Sequence, residues 1–170
     1  IARRVAGDAA DRMKKFRPSL RRHGVWHLQL EGAALVQRDE EVRQLAGESN
    51  LLKAARWVQE RGPGTVVVKK GEHGAMLFGE DGFFACPAFP LGDVFDPTGA
   101  GDSFIGGFAG YLVTLGKTEF DFADLTSAIA CGTILASFTC ESFSTHALDS
   151  LTHEKFDARL AKFREYCTFG

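Results

Sequence analysis

The chain has little of what would mark a metal knuckle, a disulfide scaffold or a strongly charged binding surface. Its 170 residues hold four cysteines, Cys86, Cys131, Cys140 and Cys167, and no two of them form a C-x-x-C pair. That spacing argues against a zinc knuckle and against a thioredoxin-like redox motif, and free thiols in a reducing cytosol are the simplest expectation. His73 has no second histidine or carboxylate at ligand spacing, so it is read as a turn residue. The formal net charge is -2 and the isoelectric point is near 6.2, which provides no broad positive field for nucleic acid or an anionic membrane. The basic stretch from Arg3 to Arg22 carries few aromatics and is read as a solvated face. No apolar run reaches the roughly 20 residues that span a bilayer, and no signal-peptide core follows the basic start. A cytoplasmic protein with a small polar ligand is expected, with neither nucleic acid nor membrane as partner. No G-K-[S/T] is present and the glycines lack G-x-G-x-x-G spacing after a core strand, which disfavours P-loop and dinucleotide-binding readings.

What is present is a composition of 45% hydrophobic and 25% charged residues, enough to bury one substantial core. From Arg38 onward helix and strand signals alternate, as an α/β layer protein requires. Residues 1 to 35 show no sustained period, and a short helix around Ala6 to Phe16 is the only element expected there. Asp39-Glu40-Glu41 opens a helix with acids suited to the positive end of its dipole, and Gly47 stops it. Asn50 caps a second helix that ends at Gly62-Pro63-Gly64. Thr65 to Val68 and Ala75 to Phe78 are expected as strands, and the Glu80-Asp81-Gly82 turn returns the chain through Phe83 to Phe89 as a hairpin. Three helices follow, over Asp102 to Leu115, over Phe122 to Ser137, and after the cap Thr152.

Gly99, Ala100 and Gly101 lie just before the first of those three helices. Small residues there leave backbone N–H groups unshielded where the helix dipole adds positive charge, which makes an anion cradle. Asp102 is the odd member, since a carboxylate beside an anion site repels the ligand unless it works on it. Proton abstraction from an attacking hydroxyl is such work. The plainer alternative is that Asp102 only caps the helix.

The run Asp96-Pro97-Thr98-Gly99-Ala100-Gly101-Asp102-Ser103-Phe104, followed by Gly106-Gly107-Phe108, closely resembles the C-terminal signature of the ribokinase-like (PfkB family) carbohydrate kinases. The resemblance implies that Gly99, Ala100 and Gly101 form the anion hole over the transferred phosphate and that Asp102 is the catalytic base. Pro97 departs from the commoner threonine without touching those donors. The segment from Val66 to Ala75 resembles the family's strand and G-x-x-G turn, whose residues border the nucleotide; Lys69 stands where many members carry threonine, a cation suited to phosphate or else a solvated strand terminus. Lys69, Gly71, Gly74, Thr98 and Ser137 are the nucleotide-binding residues it suggests, and Ala136 to Ser144 looks like the segment beside the adenine pocket. The family's N-x-x-E motif falls on Arg38-Asp39-Glu40-Glu41, so Glu41 takes the place of the glutamate that acts indirectly on the metal. Arg38 replaces an amide with a pure donor, which puts the metal arrangement in question.

The fold so implied is α/β, a ribokinase-like three-layer α/β/α arrangement, partial, with its lid region missing. Residues 1–34 match the family poorly and 35–170 correspond to its C-terminal nucleotide-binding and catalytic region. The activity implied is transfer of the ATP γ-phosphate to an alcohol of a sugar or nucleoside, with ATP and Mg2+ as cofactors. The resemblance leaves room for a monovalent cation and a homodimer. Family members carry a longer N-terminal half, and this chain begins at Ile1. The alternative expectation is therefore a truncated, catalytically silent nucleotide-binding fragment.

Overall fold

The computed structural model describes residues 16–18, 28–30, 34–80, 82–143 and 146–168. Six strands form one mixed sheet in chain order: β1 Phe16–Pro18, β2 Leu28–Leu30, β3 Ala34–Arg38, β4 Thr65–Lys69, β5 Ala75–Phe78 and β6 Phe83–Cys86. Only β3 and β4 pair parallel, with Arg38 opposite Lys69 at their ends; the other neighbours are antiparallel. A parallel pair needs a crossover. Helices α1 (Asp39–Ala46) and α2 (Leu51–Gln59) supply it.

The crossover helices end as their residues dictate. Gly47 adopts a left-handed conformation (φ 64°) and its N–H reaches back to the carbonyls of Arg43 and Gln44, while the Asn50 side chain accepts from the Lys53 N–H at the start of α2. Beyond the sheet come α3 (Ala100–Thr114), α4 (Phe122–Cys140), the short α5 (His146–Asp149) and α6 (His153–Tyr166).

The two faces of the sheet bury different sets of side chains. Val66 and Val68 pack with Leu35, Val42, Ala54, Ala55 and Val58 under α1 and α2. Val67 joins Val36, Leu77, Phe104, Phe108, Ile129 and Phe163 under α3, α4 and α6. Three consecutive valines are fully buried because a strand covered by helices on both sides has no solvent face. The result is the expected α/β/α layering.

Several expectations change in detail. The strand β3 was not anticipated, although Ala34-Leu35-Val36 is an apolar run directly before an acidic helix start. The helix expected around Ala6 to Phe16 lies outside the described residues except at Phe16, which is in β1. The hairpin strand stops at Cys86 rather than Phe89; Pro87 has no N–H with which to continue the ladder. Helix α4 runs on to Cys140, since Phe138 and Thr139 are buried and extend its packed face. By length and composition α4 is apolar enough to cross a membrane, yet more than half of it is buried against its neighbours, which is how a core helix also reads.

The α3–α4 crossing is unusually close, and two glycines permit it. A Cβ on Gly132 would stand 2.6 Å from the Phe104 carbonyl oxygen, and one on Gly107 would stand 2.9 Å from the Cys131 carbonyl oxygen. Backbone against backbone leaves no side chain to yield. This contact fixes where the N-terminus of α3 sits relative to the end of α4.

Candidate active site

The loop before α3 is shaped by two local turns. Asp96 Oδ1 accepts the Thr98 N–H at 2.9 Å, and hydrogen bonds from Thr98 hold the Asp96 carboxyl below its ordinary range. The chain is tied to α4 by the Phe95 N–H, which donates to the Cys140 carbonyl at 2.9 Å. Gly99 then turns left-handed (φ 83°) and serves as the N-cap of α3, with Ala100 its first helical residue. Asp102 therefore does not occupy the capping position. It lies in the first turn, exposed to solvent.

Two of the three amides of the expected cradle remain open. The Ala100 N–H donates to the Pro97 carbonyl at 3.1 Å, a bond made possible by the turn at 97–100. Among the described residues no protein acceptor meets the amides of Gly99 or Gly101. Gly99 and Gly101 are both exposed, so the loop faces solvent with the positive end of α3 behind it.

Lys69 comes to this loop from the end of β4. Its Nζ lies 3.4 Å from the point that a Cβ on Gly101 would occupy, so the absence of a side chain at 101 makes room for the ammonium group. Burial lowers the Lys69 pKa; Glu41 and Asp102 oppose that shift, and Arg38 adds to it. Two carboxylates and two cations thus share one neighbourhood. Arg38 reaches it because the parallel register sets it beside Lys69. Glu41, three residues into α1, accepts the Arg38 N–H at 3.0 Å and the Arg38 Nε at 2.8 Å.

The remaining residues singled out from sequence divide. Gly71 opens the 3-10 turn that follows Lys70, and Gly74 closes it. Gly74 is required for packing, since a Cβ there would meet the Cys86 carbonyl oxygen at 2.1 Å and its φ is 84°. Thr98 is exposed in the loop itself. Ser137 is not brought to the loop: it is buried, donating to the Ile134 carbonyl and accepting from Arg159 Nη1 at 3.0 Å. Thr139, two residues on and so on another side of α4, is the residue at the loop. Its methyl lies 3.9 Å from the Cβ position of Gly99, and its hydroxyl bonds the Ser103 hydroxyl at 2.7 Å. Sequence reading missed Ser103 and Thr139 as a pair, although Ser103 stands in the motif.

Beside the end of α4 opens a groove of about 650 Å³, lined among others by Phe89, Phe138, Glu141, Lys155, Arg159 and Lys162. The Arg159 guanidinium lies 3.6 Å from the Phe138 ring centre and donates to both Glu141 oxygens at 2.8 and 2.9 Å.

The model of the pfkB family of carbohydrate kinases matches residues 29–151, a span that contains β3, the crossover, β4 with Lys69 and the whole α3 loop. The chain belongs to this family. The aminoimidazole riboside kinase of Salmonella typhimurium is 40% identical over 98 residues, covering 55% of this chain and 30% of that protein. The cytidine kinase of Thermococcus kodakarensis is 37% identical over 76 residues, covering 43% of this chain and 27% of that protein. Among solved structures, the aminoimidazole riboside kinase from Salmonella enterica complexed with aminoimidazole riboside and an ATP analog superposes with a TM-score of 0.65 at 29% identity, over 75% of this chain and 42% of that one. The ribokinase from Thermotoga maritima gives 0.63 at 27% identity, over 78% and 44%. This pfkB chain thus spans less than half the length of these relatives.

Magnesium, which the family resemblance implies, finds no protein-built seat among the described residues of this pfkB chain. Among the described residues no group of three or more histidines, cysteines, aspartates or glutamates could hold a metal ion. Both oxygens of Glu41 accept from Arg38, and a dication at Glu41 would stand against that guanidinium. The residues present do not fit a metal held by Glu41.

Proposed function

We propose that this chain is the nucleotide-handling and phosphoryl-transferring part of an ATP-dependent kinase acting on an alcohol of a sugar or nucleoside. One observation carries the reading: Lys69 Nζ lies against Gly101, next to the open amides of the α3 loop and the exposed Asp102. The arrangement brings backbone donors, a cation and a carboxylate together at one exposed loop. A γ-phosphoryl group seated there meets charge-assisted donors. Asp102 accepts the proton of the attacking hydroxyl, the hydroxyl oxygen forms its bond to phosphorus, and the bond to the β–γ bridging oxygen breaks, releasing ADP with the electron pair. The groove beside Phe138 borders the segment that the family resemblance gives to adenine, and the base is proposed for that side of α4. A cytoplasmic setting accords with such a small-molecule substrate.

The second reading is a nucleotide-binding fragment without turnover. It is favoured by the share of the relatives that the chain spans, 42% of the solved aminoimidazole riboside kinase. One experiment separates the two. ATP turnover is measured with a panel of sugars and nucleosides for wild type and Asp102→Asn, alongside calorimetric ATP binding. The kinase reading expects turnover that falls by about 10²-fold or more in the variant while ATP affinity holds. Equal rates remove Asp102 from the chemistry, and binding without turnover on any acceptor leaves the fragment reading.

A further inference from the structure

The two cations near the α3 loop are not partnered alike. Arg38 and Lys69 end two parallel strands at the same level. Arg38 is neutralised by Glu41 at 2.8 Å. Lys69 makes no ion pair among the described residues, and its pKa is lowered because it is partly buried. Its ammonium group sits instead beside the positive end of α3, at Gly101. A part-buried cation against a helix N-terminus is unfavourable on both counts, and the pull of Glu41 and Asp102 offsets only part of that cost. The arrangement becomes favourable when an anion occupies the space between them.

A dication is the wrong guest for the same reason. Of the two carboxylates in this neighbourhood, Glu41 is bound on both oxygens by Arg38 and Asp102 is the proposed base, while Arg38, Lys69 and the helix end all present like charge. Resting on the reading above that a phosphate chain occupies this loop, we infer that the chain binds that polyphosphate as the metal-free anion, with Lys69 as its principal cation and the Arg38–Glu41 pair excluding a divalent ion from the protein side of the site. The chemistry recognised is a terminal phosphate of a linear polyphosphate, as in a nucleoside triphosphate.

The test is isothermal calorimetry on the whole 170-residue chain with ATP and, separately, inorganic tripolyphosphate. Each is titrated with EDTA and with excess Mg2+. Both ligands are expected to bind in EDTA, and Mg2+ is expected to leave affinity unchanged or weaken it. Lys69→Met should lose about tenfold or more in EDTA, the scale of a charge-assisted contact, and Lys69→Arg should retain most of it, with circular dichroism melts showing that both variants fold. Arg38→Asn, which frees Glu41 Oε1 and removes the guanidinium, should gain a Mg2+ enhancement that wild type lacks. Binding by wild type only when Mg2+ is present overturns the inference while leaving the nucleotide reading intact. Binding in EDTA that Lys69→Met does not alter overturns the role of Lys69. If neither ligand binds under either condition, the nucleotide reading itself falls.

Discussion

Replacing Gly132 by alanine tests how the site is positioned, because the same substitution elsewhere on these helices should act in the opposite direction. The new Cβ would stand 2.6 Å from the Phe104 carbonyl oxygen and 3.1 and 3.3 Å from two atoms of its ring. Ordinary non-bonded contact is about 3.5 Å or more, so α3 and α4 must part by roughly 1 Å along this direction. Overpacking of this kind costs about 1–3 kcal/mol. Alanine in a helix interior returns about 1 kcal/mol relative to glycine. The net expectation is a loss of up to about 2 kcal/mol, or a melting point lower by up to about 8 °C for a chain of this size. Gly106 and Gly110 lie in the middle of α3 with nothing within 4 Å of their Cβ positions. Gly106→Ala and Gly110→Ala should therefore each raise stability by up to about 1 kcal/mol. Urea and thermal denaturation followed by circular dichroism measure all three variants. A Gly132→Ala protein that melts above wild type, or a Gly106→Ala protein that falls as far as the Gly132 variant, would refute the close-crossing account.

Two further outcomes follow from groups whose titration the fold shifts. Burial places the Lys69 pKa below that of a free lysine, so between those two values the unfolded chain binds more protons than the native one. Stability must then rise with pH through that alkaline window, as the buried charge is discharged. Lys69→Met, carrying no charge to bury, should be more stable than wild type near neutrality, with the gap closing across the window in pH-resolved urea titrations; a gap that widens with pH contradicts the burial. Among the thiols, burial pushes Cys86 up to about 11, whereas Cys167 is exposed. At pH 8 a maleimide should modify native Cys167 first and reach Cys86 only after unfolding, as read by peptide mass spectrometry; joint modification of the two in the native state would place Cys86 nearer the surface than this packing does.

The family and most of the architecture were already legible along the chain. Asn50, Gly47, Thr152 and the Gly62-Pro63-Gly64 break mark helix boundaries through local backbone chemistry, and three adjoining valines signal a strand covered on both faces. Gly99 to Gly101 stood out because contiguous small residues at a helix start leave backbone N–H groups uncovered, the pattern that the proposed anion site requires. The tertiary structure decided which distant groups meet that loop. The parallel register of β3 and β4 brings Arg38 beside Lys69, and the missing Cβ at 101 admits the ammonium group. It also assigned Thr139 rather than Ser137 to the loop: two residues apart on a helix, they point to different sides, and only the packing of α4 determines which side faces α3. Local propensity reports on neighbours in sequence. Contacts between residues tens of positions apart depend on how helices and sheet close on one another, which no short window of residues encodes.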